Sequence, residues 1–230
     1  MAWLVRFIQV ACWIEIISMH VNAQQALSLK RFHGPDWQNW DELDLQTRLF
    51  SRLDATWVAQ KGRFSSHPSN PAVGVLGADF NFEVSKYLVI TPSYYCFTFR
   101  TAAGVEGHGQ DPILAATVFA RYGALTISDR NRFIGALGIT GTQDFWIYGN
   151  RPRIDSKIGP DAWKTSLFAW DEIFYFSNHN GWIRNRLAIG GRKALNERTT
   201  VNLYYQRQND DHGSPRVINA VVSLIELRLR

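Results

Sequence analysis

The 230-residue sequence predicts an all-β fold, an antiparallel up-and-down barrel of the kind that crosses a bilayer with strands. Three observations carry this. From residue 41 onward apolar and polar residues alternate with period two, in runs of about ten residues closed by turn-forming residues. Such runs suit tilted strands of about nine to eleven residues spanning a membrane, whereas strands of soluble sheets average about five to six. No amphipathic helical stretch separates the runs, and no apolar run reaches the roughly 18 residues of a membrane-spanning helix.

The N-terminus comes first. Arg6 is followed by an apolar run over 7–19 and by Val21-Asn22-Ala23, a small-residue pattern before Gln24, so 1–23 reads as a secretory signal. Glu15 interrupts the run, which keeps a retained amphipathic helix open as an alternative. Cys12 lacks the residues of a lipidation site, and if the signal is removed the chain keeps one cysteine, Cys96, so no intramolecular disulfide is expected. The expected organisation is a signal over 1–23, a periplasmic N-terminal segment over 24–40, and one barrel domain over 41–230, with no internal boundary or low-complexity stretch.

Eleven candidate strands follow, near 41–50, 53–64, 72–83, 86–99, 112–122, 124–134, 143–154, 165–177, 182–190, 199–208 and 216–229. Their faces are legible in places. Leu53, Ala55 and Trp57 oppose Asp54 and Thr56, and Ala78, Phe80 and Phe82 oppose Asp79, Asn81 and Glu83. The aromatic residues Trp57, Phe80, Phe82, Tyr94, Trp146, Tyr148 and Tyr205 should accordingly point outward. Ser85-Lys86 and Tyr122-Gly123 are hairpin-sized connections, which require antiparallel neighbours. The stretches 65–71, 104–112, 157–161, 178–181 and 209–215 are rich in turn formers and read as loops. Because bacterial membrane barrels close with an even number of strands, twelve are expected, with ten as the second choice.

Charge is organised around arginine. The 25 basic residues outnumber the 20 acidic ones by five, and 19 of the 25 are Arg. The guanidinium holds its charge and a planar fork of donors in partly buried settings. Arg-x-Arg recurs at Arg130 and Arg132, Arg151 and Arg153, Arg184 and Arg186, and Arg228 and Arg230. Residues two apart share a strand face, so each pair projects side by side. Apolar neighbours of opposite parity, among them Ile183, Leu187 and Ile189, put the pairs inside the barrel, since Arg facing lipid at mid-bilayer costs about 2–4 kcal/mol. Candidate inward counter-charges are Asp79, Glu83, Asp171, Glu172 and Glu226; neither face of the eighth strand is cleanly polar around Asp171 and Glu172. Three readings follow in order: a salt-bridge network bracing a narrow barrel, a positive lumen that attracts anions, and binding of phosphate-rich lipopolysaccharide. The basic residues form no single patch or nucleic-acid motif, so nucleic acid is not an expected partner.

The segments 125–133 (LTISDRNRF), 148–154 (YGNRPRI), 170–175 (WDEIFY), 182–191 (WIRNRLAIGG) and 202–208 (NLYYQRQ) together resemble the bacterial family catalogued as domain of unknown function 2490. The resemblance runs from about Trp40 to the C-terminus. It implies an outer-membrane β-barrel. The partners expected of such a barrel are outer-membrane lipids and lipopolysaccharide and the barrel-assembly machinery, with small anions added by the arginine pattern if the lumen is open. One departure stands out. Many such barrels end on an aromatic residue, and this sequence ends Glu226-Leu227-Arg228-Leu229-Arg230.

No catalytic, metal or cofactor residues are expected. His33, His67, His108, His179 and His212 fall in or beside loops, and His20 lies in the signal. Ser177-Asn178-His179-Asn180-Gly181 offers a serine and a histidine for a lipid-modifying hydrolase, but it is also an ordinary hairpin turn. Metal-binding spacings and a Gly-rich phosphate loop are missing. A structural barrel or narrow arginine-lined pore is the leading expectation. The hydrolase is the first alternative and a soluble, lipocalin-like binding barrel the second.

Overall fold

The computed structural model describes residues 35–64, 71–100, 106–212 and 216–229. The signal over 1–23, the segment 24–34, Cys12, His20, His33, His67 and Arg230 lie outside them. Eleven strands follow in chain order: β1 (Asp36–Phe50), β2 (Leu53–Phe64), β3 (Pro71–Ser85), β4 (Leu88–Arg100), β5 (Glu106–Tyr122), β6 (Leu125–Ala136), β7 (Phe145–Ile158), β8 (Thr165–Phe176), β9 (Gly181–Ala194), β10 (Thr199–Asp210) and β11 (Val217–Arg228). A 3-10 turn, Asp161–Trp163, precedes β8.

Each strand pairs antiparallel with its sequence neighbour, and β1 and β11 close the ring. That closure is parallel, running from Asp36↔Ile218 to Gln46↔Arg228. It corrects the expectation of twelve strands. The count of eleven taken from the alternation was sound, and what failed was the even-number rule, which assumes that every ladder is antiparallel. Two further boundaries differ. β1 begins at Asp36, so residues 36–40 belong to the barrel. β5 begins at Glu106, inside the stretch read as a loop over 104–112. Its Gly107 and Gly109 lie under the rings of Phe99 and Phe97, where an added Cβ would sit 2.3 Å and 2.5 Å from ring carbons. Glycine at these points makes room for aromatic rings across the ladder.

The barrel has two unlike rims. Short connections at Ser51-Arg52, Lys86-Tyr87 and Gly123-Ala124 lie at one, where Gly123 takes the positive φ of 58° that a tight turn needs. The 137–144 connection and the Ser177–Asn180 turn lie at the other.

Cross-strand partners share a face, so the registers assign every position inward or outward. Trp57, Phe80, Phe82, Tyr94, Trp146, Tyr148 and Tyr205 all take the outward parity. The outer wall is largely apolar: Leu114, Leu167, Leu187, Ile189 and Leu203 are each more than half exposed. The interior is layered along β8. Phe168 and Trp170 pack with Ala188 and Tyr204 toward the short-turn rim. Phe174 and Phe176 pack with Ile134 and Ile183 toward the other rim. Between these layers sits Glu172, 2% exposed. Ile183 was expected outside; a register shift opposite Phe174 and Tyr175 turns it inward, while Leu187 and Ile189 keep the outward parity.

Candidate inward arginine and aromatic wall

The β6, β7 and β9 registers bring six arginines to one inner wall. Arg130 pairs with Arg151 across β6 and β7, and Arg132 pairs with Gly149. On β9, Arg186 pairs with Glu172 and Arg184 with Phe174. Every inward position of β8 from Phe168 to Phe176 other than Glu172 is aromatic, so the guanidinium groups meet rings. Arg153 lies over Phe168 at 4.2 Å, Arg151 over Trp170 at 5.4 Å, and Arg184 over Phe176 at 5.0 Å. Phe174 takes two, Arg132 at 5.1 Å and Arg186 at 5.2 Å. Stacking of this kind suits Arg, whose weakly hydrated plane lies flat on a ring while its edge keeps the donors. Gly149 makes it possible for Arg132, which must cross β7: an added Cβ would stand 3.2 Å from the Arg132 side chain and 3.3 Å from Phe174.

Carboxylates neutralise only part of this charge. Arg130 and Arg132 each bring an Nη2 to 2.9 Å from the same oxygen, Oε1 of Glu172. Arg184 pairs with Asp210 at 2.5 Å, Arg153 with Asp155 at 2.6 Å, and Arg192 with Glu226 at 2.7 Å. Arg186 donates to the neutral Oε1 of Gln208 at 2.7 Å. Arg151 makes no ion pair among the described residues, and the buried Nε atoms of Arg130, Arg132 and Arg151 find no acceptor there. Four guanidinium groups thus surround the one carboxylate of Glu172.

The opposite inner wall is acidic. Asp44 on β1 is near enough to Glu42 on the same strand, Asp79 on β3 and Glu226 on β11 to feel each as a like charge. Gln60 donates to Glu42 at 2.7 Å, and the Tyr95 hydroxyl donates to Asp79 at 2.7 Å. Arg151 and Glu42 interact electrostatically across the interior. The lumen is polarised from β1–β3 to β6–β9, and a small ion inside it would meet opposite signs on opposite walls.

Of the residues singled out by sequence, Arg130, Arg132, Arg151, Arg153, Arg184, Arg186, Asp79, Glu172 and Glu226 face inward. Glu83 has the inward parity but sits exposed at the short-turn rim, 4.0 Å from Arg48. Arg228 is exposed at the same rim, beside Gln46 and Glu226. Asp171 faces outward and accepts from Asn185, because it precedes Glu172 by one residue and only one of the two can point in. Sequence reasoning missed the inward aromatic face of β8, and also Glu42, Asp44, Asp155 and Asp210. The polar even positions 36, 38, 42, 44 and 46 of β1 were the available signal. The Ser177 hydroxyl accepts the Trp146 N–H at 3.0 Å, and the His179 ring stacks on His212 with centroids 4.2 Å apart, so each has a partner other than its neighbour in sequence. Among the described residues, no group of three or more His, Cys, Asp or Glu is placed to hold a metal.

A family model described as "Protein of unknown function (DUF2490)" matches residues 37–219. No curated protein matches the chain. Among solved structures the barrel is similar to an anion-selective porin from Comamonas acidovorans, with 11% identity and a TM-score of 0.36 over 75% of this chain. The match spans 55% of the porin's own length.

Proposed function

The chain belongs to the DUF2490 family, and from that premise we propose that it is an outer-membrane barrel whose lumen forms a narrow, arginine-lined path for small anions. The observation that carries the reading is the surplus of inward guanidinium groups: among the described residues Arg151 and Arg186 make no direct ion pair and share with Arg130 and Arg132 the single charge of Glu172, while Arg184 and Arg153 are held by Asp210 and Asp155. Paired arginines brace the wall and unpaired ones supply the field. In a low-dielectric channel such a field concentrates the opposite ion and sets selectivity.

The outer surface supports membrane placement. Among the described residues, large apolar side chains are exposed on ten of the eleven strands, among them Leu43, Leu114, Leu167, Ile189 and Leu203, where a soluble monomer leaves only small apolar patches bare. Exposed aromatic residues mark both edges: Phe50, Tyr87, Tyr122 and Trp163 near the short turns, and Trp37, Phe133, Trp146 and Trp182 toward the loops. From Leu125 to Phe133 on β6 is eight residues. At about 3.3 Å each and a tilt of about 40°, that gives roughly 20 Å, close to the apolar band of membrane barrels.

A structural role without conduction is the second reading, favoured by the aromatic layers that fill the β8 side of the lumen. Planar-bilayer recording separates the two. The barrel should pass small anions in preference to cations, and Arg151→Glu with Arg186→Glu should reverse the preference. A heat-modifiable, membrane-inserted protein without conductance would leave the structural reading standing, and a detergent-free, monodisperse soluble protein would overturn both.

A further inference from the structure

The outer wall is not apolar everywhere. On β6 and β7 the outward Asp129 accepts from Asn131 at 3.1 Å and from Asn150 at 2.8 Å. On β8 the outward Asp171 accepts from Asn185, and on β10 the outward Arg207 donates to Asn209 at 3.2 Å. Asp129, Asp171 and Arg207 make no ion pair among the described residues. Asp129 and Asp171 lie near the middle of twelve-residue strands, well inside both aromatic edges. Ionic groups at that depth are poorly served by acyl chains, and amide partners do not neutralise them.

Their arrangement names an occupant. Asp171 pairs in register with Leu187, and Leu187 with Arg207, so one row across the sheet reads negative, apolar, positive. Strands stand about 4.8 Å apart, which keeps Asp171 and Arg207 roughly 10 Å from each other within one barrel, beyond ion-pair reach. A two-fold axis along the membrane normal, passing in front of β9, exchanges the ends of this row. It sets Leu187 against the partner's Leu187 and brings the partner's Arg207 to the side of Asp171; with strands tilted by about 40° the row is inclined, so the two stand roughly 6 Å apart in depth, a distance that the long Arg207 side chain spans.

We propose that a second copy of this chain covers the β8–β10 face, in an isologous dimer held by reciprocal Asp171 and Arg207 ion pairs around a Leu187 contact. The proposal rests on the membrane reading above, because the same charges on a soluble protein would need no cover.

Disulfide trapping tests it with the full chain in outer membranes, in a background carrying Cys12→Ser and Cys96→Ser. Leu187→Cys, oxidised with copper phenanthroline, should give a covalent dimer at least ten times more abundant than Leu114→Cys, which exposes its side chain on β5, four strands away. Asp171→Arg and Arg207→Asp should each abolish the Leu187→Cys dimer, and the two together should restore it; the unboiled gel shift shows whether each variant has folded. Equal trapping at the two positions, or failure of the double reversal to rescue, would overturn the dimer and leave lipid or a different protein as the occupant. A water-soluble maleimide should spare Leu114→Cys in intact membranes and label it once the barrel is unfolded in urea. Rapid labelling in intact membranes would refute membrane placement, and loss of the Leu187→Cys dimer alone would refute the pairing.

Discussion

Replacement of Glu172 by Gln keeps the shape of the side chain and removes one charge from the most heavily buried ionic position of the inner wall. Glu172 holds Arg130 and Arg132 through a single oxygen at 2.9 Å each. A hydrogen bond to a charged group is worth about 1.5–3 kcal/mol, the figure for the Arg130 donation, and Arg132 adds its ion pair. The Gln carbonyl still accepts from Arg130, which removes part of that. Coulomb's law gives about 4 kcal/mol for one such pair at roughly 4 Å and an effective dielectric constant of about 20. Breaking a buried pair by deleting one partner costs about 3–5 kcal/mol in general, and the three figures agree. Glu172→Gln should therefore lose about 3–5 kcal/mol of unfolding free energy, read from urea titration of the protein in lipid vesicles by tryptophan fluorescence and by the unboiled gel shift. A double-mutant cycle with Arg130→Gln should return a coupling of about 1.5–3 kcal/mol. A variant within about 1 kcal/mol of the parent would mean that water neutralises each arginine separately, and the bracing role of Glu172 would be wrong.

Three further outcomes follow from the same geometry. Arg151→Met removes a guanidinium that makes no direct ion pair among the described residues, so stability in the urea assay should stay within about 1 kcal/mol of the parent while the anion preference falls. Gly190→Ala places a Cβ 2.2 Å from Tyr204 Cβ and 2.5 Å from the Leu203 carbonyl oxygen, neither of which can swing aside, and should cost about 1–3 kcal/mol in the same titration. Ser177→Ala and His179→Ala should leave the gel shift and conductance unchanged; phospholipid turnover in detergent that both changes abolish would instead establish the hydrolase.

Much of the fold was legible in the alternation, because each strand with one oily and one polar face announces its parity directly. The outward aromatic set, the inward Arg pairs of β6 and β9, and the division at Ala78–Glu83 all came from that signal. Elsewhere both faces were alike. In β8 the inward residues Phe168, Trp170, Phe174 and Phe176 face aliphatic and aromatic residues on the other side, so period two carries no information there, and the burial of Glu172 rather than Asp171 could not be read. The turn of Ile183 to the inside depends on a register shift against the neighbouring strand, a property of two segments that no single segment contains. β5 was shortened because Gly107, His108 and Gly109 have the composition of a loop, whereas the glycines answer the bulk of Phe97 and Phe99 on the next strand. The counter-charges Asp155 and Asp210 were missed because pairing in space follows register.

The parallel seam between β1 and β11 has a consequence for how the chain is threaded. Asp36 stands at the rim that bears the loops and Arg228 at the rim that bears the short turns, so the ends of the closed ladder are separated by the full height of the wall. In a barrel with an even number of strands the two ends are neighbours, and a few residues of linker would join them into a circle. Here a covalent link must traverse the axis, inside or out. A circular permutant would need a linker on the order of ten extended residues, at about 3.3 Å each. On the outer-membrane reading proposed above, reporters fused at the two ends of the barrel would lie on opposite sides of the membrane.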